Sequence, residues 1–290
     1  MVAIAPDPQV VKLRGADHYC QWIRQPSDDP KPVMVFIHGW GGSARYWEST
    51  AWALAPQFDC LLYDLRGFGR SAQLPATPAD YSLEAYADDL AALLDHFGLE
   101  RVYLNGHSVG ASIAVLFLQR YPRRAIRTIL TCSGLFDYNP ITFAAFHQAG
   151  TWVVKLRFQW FLQVPLAGRL FMSRFVHRPL DAASNAQFLR DYLLADEAAA
   201  TGTIYTAVSR HAAQVMPGAF ADIAVPTLLI AGAEDQIIPP HLARRAAACN
   251  DRIDYCELPA TAHFPMLEDA ATYCQRVRRF LGATLNPSRP

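Results

Sequence analysis

The chain predicts an α/β protein built on a doubly wound, mostly parallel sheet with a helical insertion. Three observations carry that prediction. Short continuous apolar runs, "PVMVFIHG", "FDCLLYDL", "RVYLNGH" and "AIRTILTC", recur along the first half of the chain. Segments of helical period separate them, as parallel crossovers require. The alternation stops from about Leu135 to Phe220, where helical patterns run on without a strand, and it resumes at "PTLLIAGAEDQ". The simplest division is a core over 1–134 and 221–290, with a helical cap or lid over 135–220.

The elements follow in order. "QVVKL" and "HYCQWIR" flank "RGAD" and predict a hairpin. "PVMVFIHG" is a buried parallel strand ending in glycine. "SARYWESTAWALA" has helical spacing, opened by Ser43 as N-cap. After the strand "FDCLLYDL", "SLEAYADDLAALLDHFG" starts at Ser82 and stops at Gly98, a helix with both end signals. "RVYLNGH" is a strand, "SVGASIAVLFLQRY" a helix and "AIRTILTC" a strand. Beyond the insertion come the strand "PTLLIAGAEDQ", the helix "HLARRAAACN", the strand "IDYCELP" and the closing helical segment "PMLEDAATYCQRVRRFL". The final "NPSRP" reads as a frayed tail.

Composition excludes several classes. The 290 residues are 52% hydrophobic and 18% charged, enough apolar matter for a large core and too little charge for a disordered chain. The 26 Lys and Arg balance the 26 Asp and Glu, so there is no basic field for nucleic acid. None of the six cysteines forms a C-x-x-C pair, and most sit inside apolar runs, as reduced thiols do in a cytoplasmic protein. "MVAIAPDPQVVK" lacks the charged and apolar regions of a signal peptide. No stretch reaches the roughly 18 uninterrupted apolar residues of a spanning helix.

One short stretch carries chemistry. In "NGHSVGAS", Gly106-His107-Ser108-Val109-Gly110 joins an apolar strand to a helix. A serine on so sharp a turn adopts strained backbone angles and lifts its hydroxyl above the sheet edge. Glycines two positions either side remove the side chains that would collide there. The helix N-terminus behind Ser108 supplies amide donors and a positive dipole end, which favour a developing oxyanion. The plainer reading is a glycine-rich turn whose serine caps a helix.

With its flanking motifs the chain resembles the α/β-hydrolase family over nearly its whole length. "FIHGWGGSARYW" is similar to that family's oxyanion loop, "DLRGFGRS" to its turn after the fourth strand, and "NGHSVGAS" to its nucleophile elbow. "LLIAGAEDQIIPP" and "ATAHFPMLED" resemble its acid and histidine loops. The resemblance implies an eight-stranded, mostly parallel sheet, with a helical cap in many members where this chain has its insertion.

A serine hydroxyl needs a base, and the base an orienting acid. The family order implies Ser108 as nucleophile, Asp235 as acid and His263 as base. Glu234 beside Asp235 is a rival acid, and so is Asp137, because some members carry the acid after the sixth strand. The family pattern gives the oxyanion hole to the main-chain N–H groups of Trp40 and Val109. It assigns Asp64 and Arg66 to a structural turn with an internal ion pair, and it implies no metal and no cofactor.

Serine at the elbow separates this chain from family dehalogenases and epoxide hydrolases, which use aspartate there. The expected reaction is cleavage of a carboxylic ester, of small to medium hydrophobic type, through an acyl-enzyme. Thioesterases, C–C bond hydrolases, acyltransferases and perhydrolase-like haloperoxidases share the same serine arrangement, as do receptor-like members that bind without turnover.

The insertion bears on the substrate. "GTWVVKLRFQWFLQVPLAGRLF" is unusually aromatic. Lys155, Gln159 and Gln163 recur every four residues and predict one polar row on a helix, with Trp152, Val153, Leu156, Trp160, Phe161 and Val164 covering much of the rest. One reading is a cap helix packed on the core. The sharper reading has this face line an apolar acyl or alcohol pocket, with Trp40, Trp152 and Trp160 as substrate contacts, or touch a lipid surface. Arg157, Arg169 and Arg174 are expected on solvated faces.

Overall fold

A computed structural model describes residues 7–73 and 80–285; the start of the chain and the "NPSRP" tail lie outside the described residues. Strands β1 (Asp7–Leu13) and β2 (Ala16–Ile23) form the expected hairpin. Arg14 and Gly15 at its turn both take positive φ, 46° and 87°, the geometry whose twist suits the flanking strands. The sheet continues with β3 (Val33–Ile37), β4 (Asp59–Tyr63), β5 (Val102–His107), β6 (Ala125–Thr131), β7 (Thr227–Gly232) and β8 (Ile253–Leu258). Its eight strands lie in the order β1-β2-β4-β3-β5-β6-β7-β8. The β1–β2 and β2–β4 pairs are antiparallel, and all others are parallel.

Strand residues alternate between two cores, because successive side chains point to opposite faces. Met34 and Phe36 of β3 belong to one buried cluster and Val35 and Ile37 to the other. The first face is covered by α1 (Glu48–Leu54) and α11 (Ala270–Leu285), the second by α2 (Leu83–His96), α3 (Val109–Arg120) and α9 (Pro240–Ala247). Ser82 caps α2 as expected, its hydroxyl accepting the Ala85 N–H at 3.1 Å. Ser43 caps a 3-10 turn over Ala44–Trp47 that leads into α1.

Between β6 and β7 the chain runs through α4 (Pro140–Lys155), α5 (Ala167–Met172), α6 (Ala182–Leu194), α7 (Glu197–Ala207) and α8 (Arg210–Ala221). Despite that detour β6 and β7 are direct neighbours. The last helix returns to the sheet, burying Met216, Ala219 and Phe220 in the core.

Three sequence expectations fail here. The aromatic segment is not one helix: α4 ends at Lys155, a 3-10 turn spans Gln159–Gln163, and Leu166 is left-handed at φ 63° before α5. Arg157 is the reason at the first break. Its guanidinium turns inward and donates to the carbonyls of Val154, Tyr192 and Ala195, instead of lying on a solvated face. Pro165 disfavours helix before α5. Lys155, Gln159 and Gln163 therefore form no helical row. The closing segment is also divided, into α10 (Pro265–Glu268) and α11, because Asp269 leaves helical geometry to accept the Thr272 N–H at 3.2 Å.

Candidate active site

Three loops at the C-terminal edge of the parallel strands build the site, where open α/β sheets place their crevice. β5 ends at His107 and α3 begins at Val109, so Ser108 makes the turn alone, at φ 55° and ψ −120°. A non-glycine residue rarely adopts that φ. The turn is too tight for side chains. A Cβ on Gly106 would lie 2.6 Å from the Gly110 carbonyl oxygen, and one on Gly110 would lie 2.4 Å from that of Ile37. Gly106 thus clears the turn itself, while Gly110 lets α3 sit against the end of β3.

Asp235 follows β7 and His263 follows β8, and the fold brings both to Ser108. His263 Nε2 lies 3.0 Å from the Ser108 hydroxyl, and His263 Nδ1 lies 2.8 Å from Asp235 Oδ2. The other Asp235 oxygen is held by the N–H groups of Ile237 and Ile238 at 2.8 and 3.1 Å, which aims the free oxygen at the imidazole. Asp235 and His263 are 3% and 5% exposed. A carboxylate at Nδ1 puts the imidazole proton there and leaves Nε2 to accept from the serine hydroxyl. The rival acids point elsewhere. Asp137 forms a two-pronged ion pair with Arg245, both contacts at 2.8 Å, and Glu234 is exposed.

A family model described as alpha/beta hydrolase fold matches residues 32–270. The chain belongs to the α/β-hydrolase fold family. The putative carbamate hydrolase RutD of Pseudomonas savastanoi pv. phaseolicola is 29% identical over 259 residues, covering 87% of this chain and 94% of the relative. An enol-lactonase from Burkholderia xenovorans superposes with a TM-score of 0.76 at 21% identity, covering 94% of this chain and 100% of that one. The carboxylesterase CesB of Bacillus subtilis gives 0.74 at 21%, covering 96% and 92%.

On this α/β-hydrolase frame, neither the Trp40 nor the Val109 N–H has an acceptor among the described residues. The Trp40 side chain reaches the other way. Its indole N–H donates to Ala200 O of α7 at 2.8 Å, and its ring packs 5.8 Å from Tyr192 of α6. Trp152 and Trp160 are 58% and 55% exposed, and Trp160 packs on Phe158 and Phe161 of its own segment. Phe175 is the aromatic residue the sequence reading missed: its ring centre lies 6.5 Å from that of His263.

Two further features were not visible in sequence. The first is a hydrogen-bonded chain behind the site. The Gly39 N–H donates to the Tyr46 hydroxyl at 2.5 Å, that hydroxyl donates to His107 Nδ1 at 2.9 Å, and His107 Nε2 donates to the His263 carbonyl at 2.7 Å. Directions follow from chemistry, since a carbonyl only accepts. Burial drives His107 well below the ordinary imidazole value, and nearby His263 adds to the shift, so the ring is neutral and able to accept and donate at once. The second is Glu268. One of its oxygens accepts the N–H groups of Ala262 and Phe264 at 2.9 and 3.1 Å, on either side of His263. The other accepts those of His177 and Arg178 at 2.6 and 2.9 Å, from the segment after α5. A carboxylate five residues past His263 in an apolar loop was the only signal.

In "DLRGFGRS" an ion pair internal to the turn forms, as its resemblance implied, and a second pair leaves the segment. Asp64 pairs with Arg70, at 2.7 and 2.9 Å, and Arg66 with Asp89 at 3.1 Å. Burial alone would raise the Asp64 carboxyl, but the Arg70 contacts hold it below its ordinary value.

His107, Cys132 and His263 bring donor atoms within 4.8 Å of one another, the spacing of a metal site. The donors do not suit one. Both His107 nitrogens and both His263 nitrogens are already hydrogen-bonded, and burial lifts the Cys132 thiol well above its ordinary value, disfavouring thiolate. Among the described residues no helix is long and apolar enough to cross a membrane.

Proposed function

We propose that this chain is a serine hydrolase that cleaves a carboxylic ester of a small to medium hydrophobic substrate. The observation that carries the reading is the pair of contacts on one imidazole, Ser108 at 3.0 Å and Asp235 at 2.8 Å. Ser108 attacks the carbonyl while His263 takes its proton. Asp235 keeps the proton on Nδ1 and stabilises the imidazolium. The unpartnered N–H groups of Trp40 and Val109 receive the oxyanion, each contributing about 3 kcal/mol to the transition state. His263 returns the proton to the leaving alcohol, and water then releases the acid by the same steps reversed. In this reading 135–220 caps a core made of 1–134 and 221–290, and Phe175, whose ring approaches His263, walls the acyl site.

A fluorophosphonate probe tests the nucleophile, because it reacts only with an activated serine. Labelling of the native chain and none of Ser108→Ala is expected; label retained by the variant overturns the assignment. A second reading, cleavage of a carbamate, has the likeness to RutD in its favour. Its carbonyl passes through the same tetrahedral state. A panel of p-nitrophenyl esters, thioesters and carbamates separates the two by kcat/KM. A single burst without turnover would instead favour a ligand receptor.

A further inference from the structure

The surface of this molecule is asymmetric in both polarity and charge. Apart from Val10, every exposed large hydrophobic side chain among the described residues lies between Tyr138 and Tyr205. The densest part is Trp152–Leu170, the broken segment of α4, the 3-10 turn and α5. Leu166 is 72% exposed, Leu170 77%, Trp152 58% and Trp160 55%, and the 3-10 turn buries no residue at all. Only its Phe161 turns inward, against the cluster of Leu189, Tyr192 and Leu193. Exposed apolar patches of this density mark interaction surfaces. Farther up α4, Ile141 (81% exposed) stands on the same helical stripe as Trp152 and Leu156.

Charge identifies the occupant. From 138 to 180 the sequence carries Lys155, Arg157, Arg169, Arg174 and Arg178 and neither Asp nor Glu. The whole chain is balanced, so the rest of it carries the opposite excess. Lys155 and Arg169 stand exposed inside the apolar segment, with no carboxylate partner among the described residues. A second copy of the chain seated face to face would oppose these cations with like charge. An anionic lipid surface offers acyl chains for the apolar side chains and phosphates for the cations at the same depth.

We propose that Trp152–Leu170 docks on an anionic bilayer surface, with Trp152, Trp160, Leu166 and Leu170 in the headgroup boundary and Lys155 and Arg169 on lipid phosphates. The inference goes beyond the hydrolase reading and does not depend on it. The docked face connects to the site through few side chains: Phe161 packs on the cluster of Leu189, Tyr192 and Leu193, and Tyr192 packs on Trp40. Lipid at that face therefore lies two aromatic side chains, Phe161 and Tyr192, from the loop that carries the proposed oxyanion donor.

The experiment uses the full chain carrying Ser108→Ala, so that no turnover alters the lipid. Sedimentation is measured with vesicles of phosphatidylcholine alone and of phosphatidylcholine with phosphatidylglycerol. Binding to the anionic vesicles at least about tenfold tighter is expected, weakening as salt is raised. Lys155→Glu with Arg169→Glu should lower it by roughly tenfold or more. Leu166→Ser with Leu170→Ser should abolish it while leaving the circular dichroism and melting temperature unchanged, because both side chains are already in water. Absence of sedimentation with either vesicle overturns the proposal. So does a dimer, seen by analytical ultracentrifugation without lipid, that the leucine substitutions dissolve.

Discussion

His107 Nε2 donates to the main-chain carbonyl of His263 at 2.7 Å. The residue preceding the proposed nucleophile thereby holds the backbone of the residue proposed as its base. The same ring accepts from Tyr46, which in turn holds the Gly39 N–H next to Trp40. One buried chain of hydrogen bonds thus sets the spacing of the loop after β3, the turn at Ser108 and the loop carrying His263.

Tyr46→Phe breaks that chain while keeping the ring that packs on Phe188 and Phe264. It leaves the buried Gly39 N–H and His107 Nδ1 unpaired, at about 1–3 kcal/mol each. We expect kcat on a model ester to fall roughly 10- to 100-fold through misplacement of the loops, with KM moving much less. Unchanged kcat alongside reduced stability would show that Tyr46 only holds the fold.

Asp235→Asn should lower kcat roughly 10⁴-fold, because the amide favours the wrong imidazole tautomer. Asp137→Asn should be nearly silent, since that carboxylate is paired with Arg245 at the surface. Steady-state kinetics of both variants decide between the two acids. The reverse ranking would move the acid to the loop after β6.

Glu268→Ala removes the acceptor for four main-chain N–H groups, from Ala262, Phe264, His177 and Arg178. Urea unfolding should show a loss of about 3 kcal/mol or more. The histidine loop should loosen as well, with kcat falling in the folded fraction. Glu268→Gln retains one acceptor oxygen and should recover part of both losses. A variant as stable as the native chain would contradict the clamp.

Acid should unfold the protein in two stages. Burial depresses His38 and His107 below the ordinary value of 6.5, so the unfolded chain binds protons there that the native chain refuses. Stability is complete above pH 6.5 and declines as pH falls below it, by up to about 1.4 kcal/mol per pH unit for each ring. Asp64, held below 3.8 by Arg70 despite its burial, adds a second loss as pH falls through that range. Urea midpoints between pH 7.5 and 3 read both stages; a flat profile from 7 to 5 would refute the histidine part.

The sequence by itself determined the alternation of strands and helices, the glycine-framed turn at Ser108, and the family. These are local matters. Apolar runs, cap residues such as Ser82, and the steric need for glycine at 106 and 110 leave their mark within a few neighbours. Fold analogy also pointed to His263 and Asp235, whose loops follow strands at recognisable places.

Tertiary structure decided what depends on contacts across the chain. Arg157 found three carbonyl acceptors, on α4, on α6 and just past the end of α6, and that inward turn broke a helix whose four-residue polar spacing looked regular. Asp64 took Arg70 and not Arg66, because the turn folds back on itself. Trp152 and Trp160 came to lie on the outer face, while Phe175 approached His263. Glu268 and Tyr46 gained their importance from N–H groups up to 91 residues away, partners that no local pattern encodes. Hydrogen-bond partners and exposure are properties of the packed molecule, since each depends on which distant surface has arrived to remove water.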